Sequence, residues 1–459
     1  MNYEEQKQFC LCDDKGNPKK PYDSKIVDYI KANYPLFVLG GSVFVYESGV
    51  YSLDVNDAKI CSIIKSMIPA HLVDAYTLKR ICKLFLMDAE LQRDYEGLNL
   101  FPDWWVCFRD CFYDVKTGER IPHDSKYYCI NQIPHDCPAM DGTDAEGGKV
   151  FEKFLAESMG ADDIETILQF LGWCLTKDNS FQKFCILTGG RATGKSTLLR
   201  LFAKIIGSKN ISAIPIQRIQ EKFFAILMLG KLANVCADLP NTALSTVDRI
   251  KQITGGDLIV DSFKGKDSIA FTPYCKLIFS ANSVPISLDE KSSAFFERVI
   301  IIRMDHRAEK PDRCLDDKLK AEIPYILKKC LLALRELYEN GSIYESESSK
   351  NEVEILYRDS DSVKAFLFAH TKKAVGDSIK TTELFKKYKE FCEDEERIAL
   401  SRNGFYRNIA GKGIAKKTIH GVEYFDDIGW KSGDENTPKT TPEGGFFPPP
   451  EGLEIPFDI

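Results

Sequence analysis

The residues Gly189-Gly190-Arg191-Ala192-Thr193-Gly194-Lys195-Ser196 fit G-x-x-x-x-G-K-[ST] without a gap. Glycines allow a tight backbone path around phosphate groups. The exposed N–H groups, together with the start of a helix, bind phosphate oxygens. Lys195 offers a positive point charge to the β- and γ-phosphates, and the Ser196 hydroxyl is placed to ligate Mg²⁺. Thr197 completes the stretch that wraps the nucleotide. The expected chemistry is binding and hydrolysis of ATP with Mg²⁺.

Hydrolysis needs more than a loop. An acidic residue at the end of a nearby strand must hold the Mg²⁺ shell or polarise water. Lys231 to Asp238 (KLANVCAD) reads as such a strand, with Asp238 at its end. Lys276 to Asn282 (KLIFSAN) is another, and Asn282 is placed to orient the attacking water. Arg298 precedes the apolar strand Val299 to Ile302, where an arginine can reach a neighbouring subunit's γ-phosphate. Each has a plainer reading: a turn residue for Asp238, a strand-end turn near Pro285 for Asn282, and a surface ion-pair partner for Arg298.

These residues must be carried by a scaffold. The loop follows the apolar strand Phe184 to Thr188 and opens a helix from Lys195 to Ile206; strands and helices then alternate to about Met304. That alternation predicts an α/β domain with a largely parallel sheet. The predicted organisation is a mixed α+β domain over 1–145, an ATPase domain over 146–345 with a helical lead-in over 146–180, a third domain over 350–430, and a tail over 431–459. A helical stretch is expected from Phe151 to Leu175, and strands over Cys107 to Asp114 and Lys126 to Ile133. Helices over Asp361–Thr371, Thr382–Glu393 and Ser401–Ala410, then a hairpin over Ile414–Trp430, predict a winged helix. The tail, rich in Pro, Gly and acidic residues, is expected to be disordered.

The order of Gly189–Thr197, Asp238, Thr254-Gly255-Gly256-Asp257, Asn282 and Arg298 resembles the superfamily 3 helicases. More narrowly, it looks like the phage and plasmid primase-helicases and their poxvirus relatives. The segments EKFFAILMLGKLANVCADLP, ITGGD, KLIFSANSVP and FFERVIIIRM carry that likeness, which runs from about Val43 to Trp430. The resemblance implies an AAA+ type core, a hexameric ring, and translocation along single-stranded DNA from 3′ to 5′. It implies Lys195 and Ser196 as the loop pair, Asp238 as the Walker B acid, Asn282 as sensor 1 and Arg298 as the finger in trans. Ala237 stands where many relatives have a second acid, which leaves open whether Asp238 serves Mg²⁺, water activation or both. Thr193 replaces the Asn or Ser of relatives. No primase site is recognisable, so helicase activity without primer synthesis is expected.

A net charge of −7 over 459 residues gives no global attraction to nucleic acid, so contact with DNA must be local. Between Asp257 and Phe271 two apolar arms surround Lys264-Gly265-Lys266, a hairpin tip. In the family it resembles, this hairpin projects into the ring channel; six tips carrying Lys264 and Lys266 make a basic lining inside an acidic protein. An exposed hairpin with solubilising lysines is the plainer alternative. Arg402 and Arg407 on the third helix, with Lys416 and Lys417 at the hairpin's start, are candidates for duplex contact, protein contact being the alternative.

Expected partners are therefore single-stranded and forked DNA and further copies of the chain in a homo-hexamer; the tail, which ends Ile455-Pro456-Phe457-Asp458-Ile459, reads first as a plain disordered end, with recruitment of replication proteins as the alternative. The 15 cysteines fit free thiols, with Cys107, Cys111, Cys129, Cys137 and His135 too irregularly spaced for a zinc ribbon. No apolar run spans a membrane and no signal peptide is seen, so the host cytoplasm is the expected location. The remaining readings are an AAA+ initiator or loader that does not unwind, and a small-molecule kinase.

Overall fold

The computed structural model describes residues 1–140, 147–239, 247–264, 268–282, 293–306, 312–395, 397 and 399–431. Lys266, the tail beyond 431 and the side chain of Asp238 lie outside that description. The chain divides into two compact units, one of Met1–Pro285 with Ser293–Lys350, the other described from Asn351 to 431.

The first unit opens with α1 (Tyr3–Lys7), a hairpin of β1 (Cys10–Cys12) and β2 (Pro18–Pro21), and α2 (Asp23–Asn33). An antiparallel sheet follows, β3 (Leu36–Leu39), β4 (Ser42–Glu47) and β5 (Val50–Leu53), then α3 (Ala58–Met67) and α4 (Ala75–Met87). These elements close their own core around Ile26, Ile30, Val38, Ile64, Ile81 and Phe85. A second small sheet is built by β6 (Trp105–Cys107), β7 (Phe112–Asp114) and β8 (Arg120–Ile121).

Two helices come next, α5 (Lys149–Ala156) and α6 (Ala161–Trp173). The helical stretch expected over Phe151–Leu175 is present as two helices: Gly160 takes φ −64° and ψ 152° at the start of α6, and the α5 register ends at Glu157. The expected strand Cys107–Asp114 is likewise two strands joined by a turn, closed by the Phe108 N–H on the Cys111 carbonyl at 2.8 Å. No strand forms over Lys126–Ile133. Tyr128 is left-handed (φ 46°), and Asn99 Oδ1 takes the Ile130 N–H at 2.9 Å.

The principal sheet contains β9 (Phe184–Thr188), β10 (Ile211–Ser212), β11 (Ala233–Leu239), β14 (Lys276–Ala281) and β15 (Val299–Arg303). Its order is β10-β11-β14-β9-β15 and every pairing is parallel. β9 and β14 are buried at every position, which matches their near-continuous apolar sequences. Around it lie α7 (Lys195–Ile206), α8 (Asp248–Gly255), the hairpin β12 (Ile259–Asp261) with β13 (Ile269–Phe271), α9 (Ser293–Phe296), α10 (Leu315–Ala321) and α11 (Ile323–Asn340). α11 buries Ile323, Ile326, Leu327, Cys330, Leu331, Leu334 and Leu337, one face at helical spacing. The core of this region also takes in Val106, Phe108, Tyr113 and Ile133. A buried network ties the same stretch to the sheet: Asn131 Nδ2 donates to Asn210 Oδ1 at 3.1 Å, and the Tyr274 hydroxyl donates to Asn131 Oδ1 at 2.8 Å.

α12 (Glu347–Ser360) leads into the second unit: α13 (Ser362–His370), β16 (Thr371–Lys380), α14 (Thr381–Asp394), α15 (Arg402–Gly411), β17 (Lys416–Ile419) and β18 (Val422–Trp430). The three strands are antiparallel in the order β16-β18-β17. Phe366, Leu384, Phe405, Ile409 and Phe425 fill its core, with Tyr388 stacked on Phe405 at 4.4 Å between ring centres. β16 was not expected. Its sequence, TKKAVGDSIK, is mostly polar and exposed, and its register with β18 breaks between Lys373 and Ser378.

Candidate nucleotide site

The loop begins where β9 ends. The Met304 N–H donates to the Thr188 carbonyl at 2.7 Å, so the end of β15 presses against the first glycine. A Cβ at Gly189 would lie 2.0 Å from the Met304 carbonyl oxygen, and its φ is 135°. Only glycine fits there. Ala192 turns the loop with φ 62°, and Gly194, at φ 94°, is the N-cap residue of α7. No side chain caps that helix, so its first-turn N–H groups face outward where the dipole favours an anion.

Lys195 is buried. Its Nζ donates to the Gly189 carbonyl at 2.6 Å and the Gly190 carbonyl at 2.5 Å, while the Thr193 hydroxyl donates to Gly190 at 3.1 Å. The ammonium group is therefore held inside the loop's own curve. Ser196 is exposed in the first turn of α7, and Arg191 is exposed at the loop's outer side. The Thr197 hydroxyl accepts from Arg200 at 3.1 Å.

A cavity of about 550 Å³ opens beside the loop. Ala192, Thr193, Gly194 and Thr197 form one wall, Val150, Phe154 and Ser158 a second, and His306, Asp312, Leu315 and Lys318 a third. Its size suits a small organic ligand. Glu322 fixes the α5 wall, because its carboxylate accepts the Val150 N–H at 3.1 Å and the Phe151 N–H at 2.7 Å. At the mouth, the Lys318 ammonium bonds Asp312 at 2.6 Å and holds its carboxyl below the usual range.

Sheet register places the other predicted residues. β14 pairs with β9 at Ser280↔Leu187, and β11 with β14 at Leu239↔Ala281 after a break past Cys236. Position 238 and Asn282 thus sit at the same sheet edge as the loop. Asn282 is exposed, one residue beyond β14.

Arg298 stands elsewhere. β15 runs parallel to β9 with Val299↔Phe184 and Arg303↔Thr188, so Arg298 enters at the opposite edge. Five residues of strand put it about 16 Å from the loop's level. It cannot act on its own chain's loop. Its guanidinium donates to the Ala294 carbonyl at 2.8 Å and to Gln182 Oε1 at 3.2 Å.

The Thr254-Gly255-Gly256-Asp257 segment ends α8. Gly256 is left-handed at φ 72°, its N–H bonds Gln252 and Ile253, and Asn179 Nδ2 donates to the Ile253 carbonyl at 2.9 Å. Beyond it, β12 and β13 pair antiparallel at Ile259↔Phe271, Val260↔Ala270 and Asp261↔Ile269. Lys264 is exposed past the end of β12. Asp261 was assigned no role from sequence, yet it is buried and accepts three backbone N–H groups: Phe223 at 3.0 Å, Ile226 at 2.9 Å and Ser262 at 2.9 Å. Lys276 was also missed. Burial pushes its ammonium down to about 8, and it donates to the carbonyls of Thr176, of Asp178 at 3.2 Å and of Tyr274 at 3.1 Å.

The basic residues of the second unit are partly engaged. Arg402 donates to the Tyr406 hydroxyl at 2.9 Å, Arg407 to the Asn403 carbonyl at 3.4 Å, Lys416 to Glu423 at 3.4 Å, and Lys417 to Asp426. The four early cysteines and His135 form no cluster of three potential metal ligands among the described residues. His135 bonds the Lys204 carbonyl at 3.0 Å. Among the described residues, no helix is long and apolar enough to cross a membrane.

Two segments match known families: residues 86–174 match "D5 N terminal like", and residues 187–298 match "Family of unknown function (DUF5906)". The fold is similar to that of the structure described as "The A form apo structure of NrS-1 C terminal region-CTR". Its TM-score is 0.51 at 11% identity, covering 88% of this chain and 98% of that one. A second, "The apo structure of NrS-1 C terminal region (305-718)", gives 0.52 at 12% identity with the same coverage. At such identity the likeness is one of fold.

Proposed function

We propose that this chain is an ATP-hydrolysing AAA+ motor of the superfamily 3 type, a hexameric ring helicase that moves 3′ to 5′ on single-stranded DNA and serves replication of a phage, virus or mobile element. One observation carries the reading. Counted from β9, the sheet order is 5-1-4-3-2. The glycine-rich loop heads the interior strand β9, between β14 and β15, with positions 238 and 282 on the same edge. In open α/β sheets, ligands bind at the carboxyl ends of the strands. The match to "D5 N terminal like" points to the same replication family.

The loop's donors suit a triphosphate, and the cavity against Phe154 accommodates its base and ribose. Lys195 leaves the Gly189 and Gly190 carbonyls and turns to the β- and γ-phosphates, where it neutralises charge that grows in the transition state. Asn282 orients the attacking water. Ser196 and Asp238 are the residues that would hold Mg²⁺, which when bound neutralises phosphate charge. Arg298, remote from its own loop, serves the neighbouring subunit, so hydrolysis requires assembly.

Lys264 and Lys266 grip the DNA backbone inside the ring. The second unit is read as a winged helix, from its order helix, strand, helix, helix, strand, strand. Arg402, Arg407, Lys416 and Lys417 face duplex phosphates there. The surface ion pairs of Lys416 and Lys417 are worth only ~0–1 kcal/mol and give way to phosphate. The tail recruits a replication partner, and the protein acts in the host cytoplasm.

A strand-displacement assay on labelled forked DNA with ATP tests the reading. Unwinding that requires Lys195 is expected. DNA binding with no displacement at any ATP concentration would replace helicase by initiator or loader.

A further inference from the structure

The hairpin β12–β13 is anchored at two points on its leading side. Asn179 holds the end of α8 that leads into it. The second is Asp261, at the tip end of β12, which points inward because Ile259 and Asp261 are buried while Leu258 and Val260 are exposed. Its carboxylate takes the N–H groups of Phe223 and Ile226, from a segment 35 or more residues earlier in the chain.

That segment is not relaxed. Phe223 has φ 75°, a left-handed conformation that costs a bulky residue ~1–3 kcal/mol and persists only where surroundings enforce it. The Asp261 carboxylate is one such constraint, since it holds the Phe223 amide itself. Downstream, Ala225, Ile226 and Met228 are fully buried, and the Lys231 N–H bonds the Met228 carbonyl at 3.0 Å. The Leu232 N–H bonds Asn210 at 2.8 Å, and β11 starts at the next residue. So a short, packed piece of chain joins the Asp261 contact to the strand that ends at the catalytic edge.

We infer that Asp261 is the positioning residue through which movement of the hairpin is passed to β11. The inference rests on the reading of the chain as a DNA-driven motor. A pull on the hairpin draws the Asp261 carboxylate away from the 223–226 amides. Phe223 then relaxes, and the packed turn after it shifts the strand that carries Asp238. Asp261 touches no nucleotide, so its loss should sever stimulation by DNA without altering ATP affinity.

The test measures ATP hydrolysis by full-length Asp261→Ala and wild type, with and without an oligo-dT strand. The expected result is a DNA-free rate and KM for ATP within about twofold of wild type, with the stimulation ratio reduced at least fivefold. A retained ratio overturns the inference. So does a parallel fall in basal and stimulated rates, since a staple of the fold would act that way. Should Asp261→Ala melt below the assay temperature, Phe223→Gly decides: glycine takes φ 75° without strain, so stimulation must fall at least twofold while the melting temperature holds or rises. If wild type shows no stimulation at all, the motor reading itself fails. Hydrogen exchange then judges the linkage alone: Asp261→Ala must speed amide exchange along 233–239, and unchanged exchange there refutes it.

Discussion

Replacing each of the first two loop glycines by alanine separates fold from chemistry. At Gly189 the new Cβ would sit 2.0 Å from the Met304 carbonyl oxygen, at φ 135°. The contact must open by about 1 Å to reach the 3.0 Å that real Cβ atoms respect. The backbone region alone costs ~1–3 kcal/mol, and forced displacement of packed structure costs a further ~1–3 kcal/mol. Together that is ~2–6 kcal/mol, or a melting point lower by about 4–12 °C at roughly 2 °C per kcal/mol for a large unit. A Cβ at Gly190 meets nothing within 4 Å, and its φ is not positive. Gly190→Ala should therefore change stability by no more than ~0.5 kcal/mol. Its cost falls on the approach of phosphate to the loop backbone. Thermal unfolding without nucleotide, paired with titration of a fluorescent ATP analogue, checks both. A Gly189→Ala protein as stable as wild type, or a Gly190→Ala protein as unstable as Gly189→Ala, would refute the loop geometry.

Lys195→Ala should lower ATP hydrolysis by about 10²-fold or more, as loss of a donor to developing charge does elsewhere, which a phosphate-release assay reads. Arg298→Ala should be inactive alone but regain ATPase when mixed with Lys195→Ala, because one interface then unites an intact loop with an intact arginine; failure of mixing to rescue refutes the role in trans. Lys264→Ala with Lys266→Ala should abolish displacement of a forked strand, and full unwinding by that protein would remove the hairpin from the mechanism. Lys276 is held down to about 8 in the folded chain against 10.5 unfolded, so the unfolded state binds more protons between those values. Stability relative to Lys276→Met should rise with pH from about 8 to 10.5 by up to ~3 kcal/mol, at 1.36 kcal/mol per unit, and a flat difference in denaturant midpoints would contradict it.

Much of the scaffold was readable because local signals and tertiary demands agree. β9, β14, β15 and α7 carry long apolar runs or clean helical spacing, and their edges fell within a residue or two. The less legible stretches are those where one residue overrules a pattern. Gly160 splits a helical stretch whose apolar spacing continues on both sides. Tyr128 turns left-handed within a run that otherwise reads as extended. β16 has almost no apolar signature, because only Thr371 and Ile379 are buried. At the site, the loop was legible from its spacing, and the Thr254–Asp257 segment was visible only as a motif. Its work as a helix end held by Asn179 depends on a partner 74 residues away. Asp261 and Lys276 gave no signal, since their importance lies in distant backbone groups that no local spacing records. The edge occupied by Arg298 also emerged only from strand register.

In the proposed function, ATP hydrolysis at this loop moves DNA. The most direct measurement is the rate of strand displacement on a forked duplex at saturating ATP, comparing wild type with Lys195→Ala. Wild type should displace the strand, and displacement should stop when Lys195 is removed. Hydrolysis of ATP by wild type with no strand displaced from forks of either polarity would contradict the proposed function.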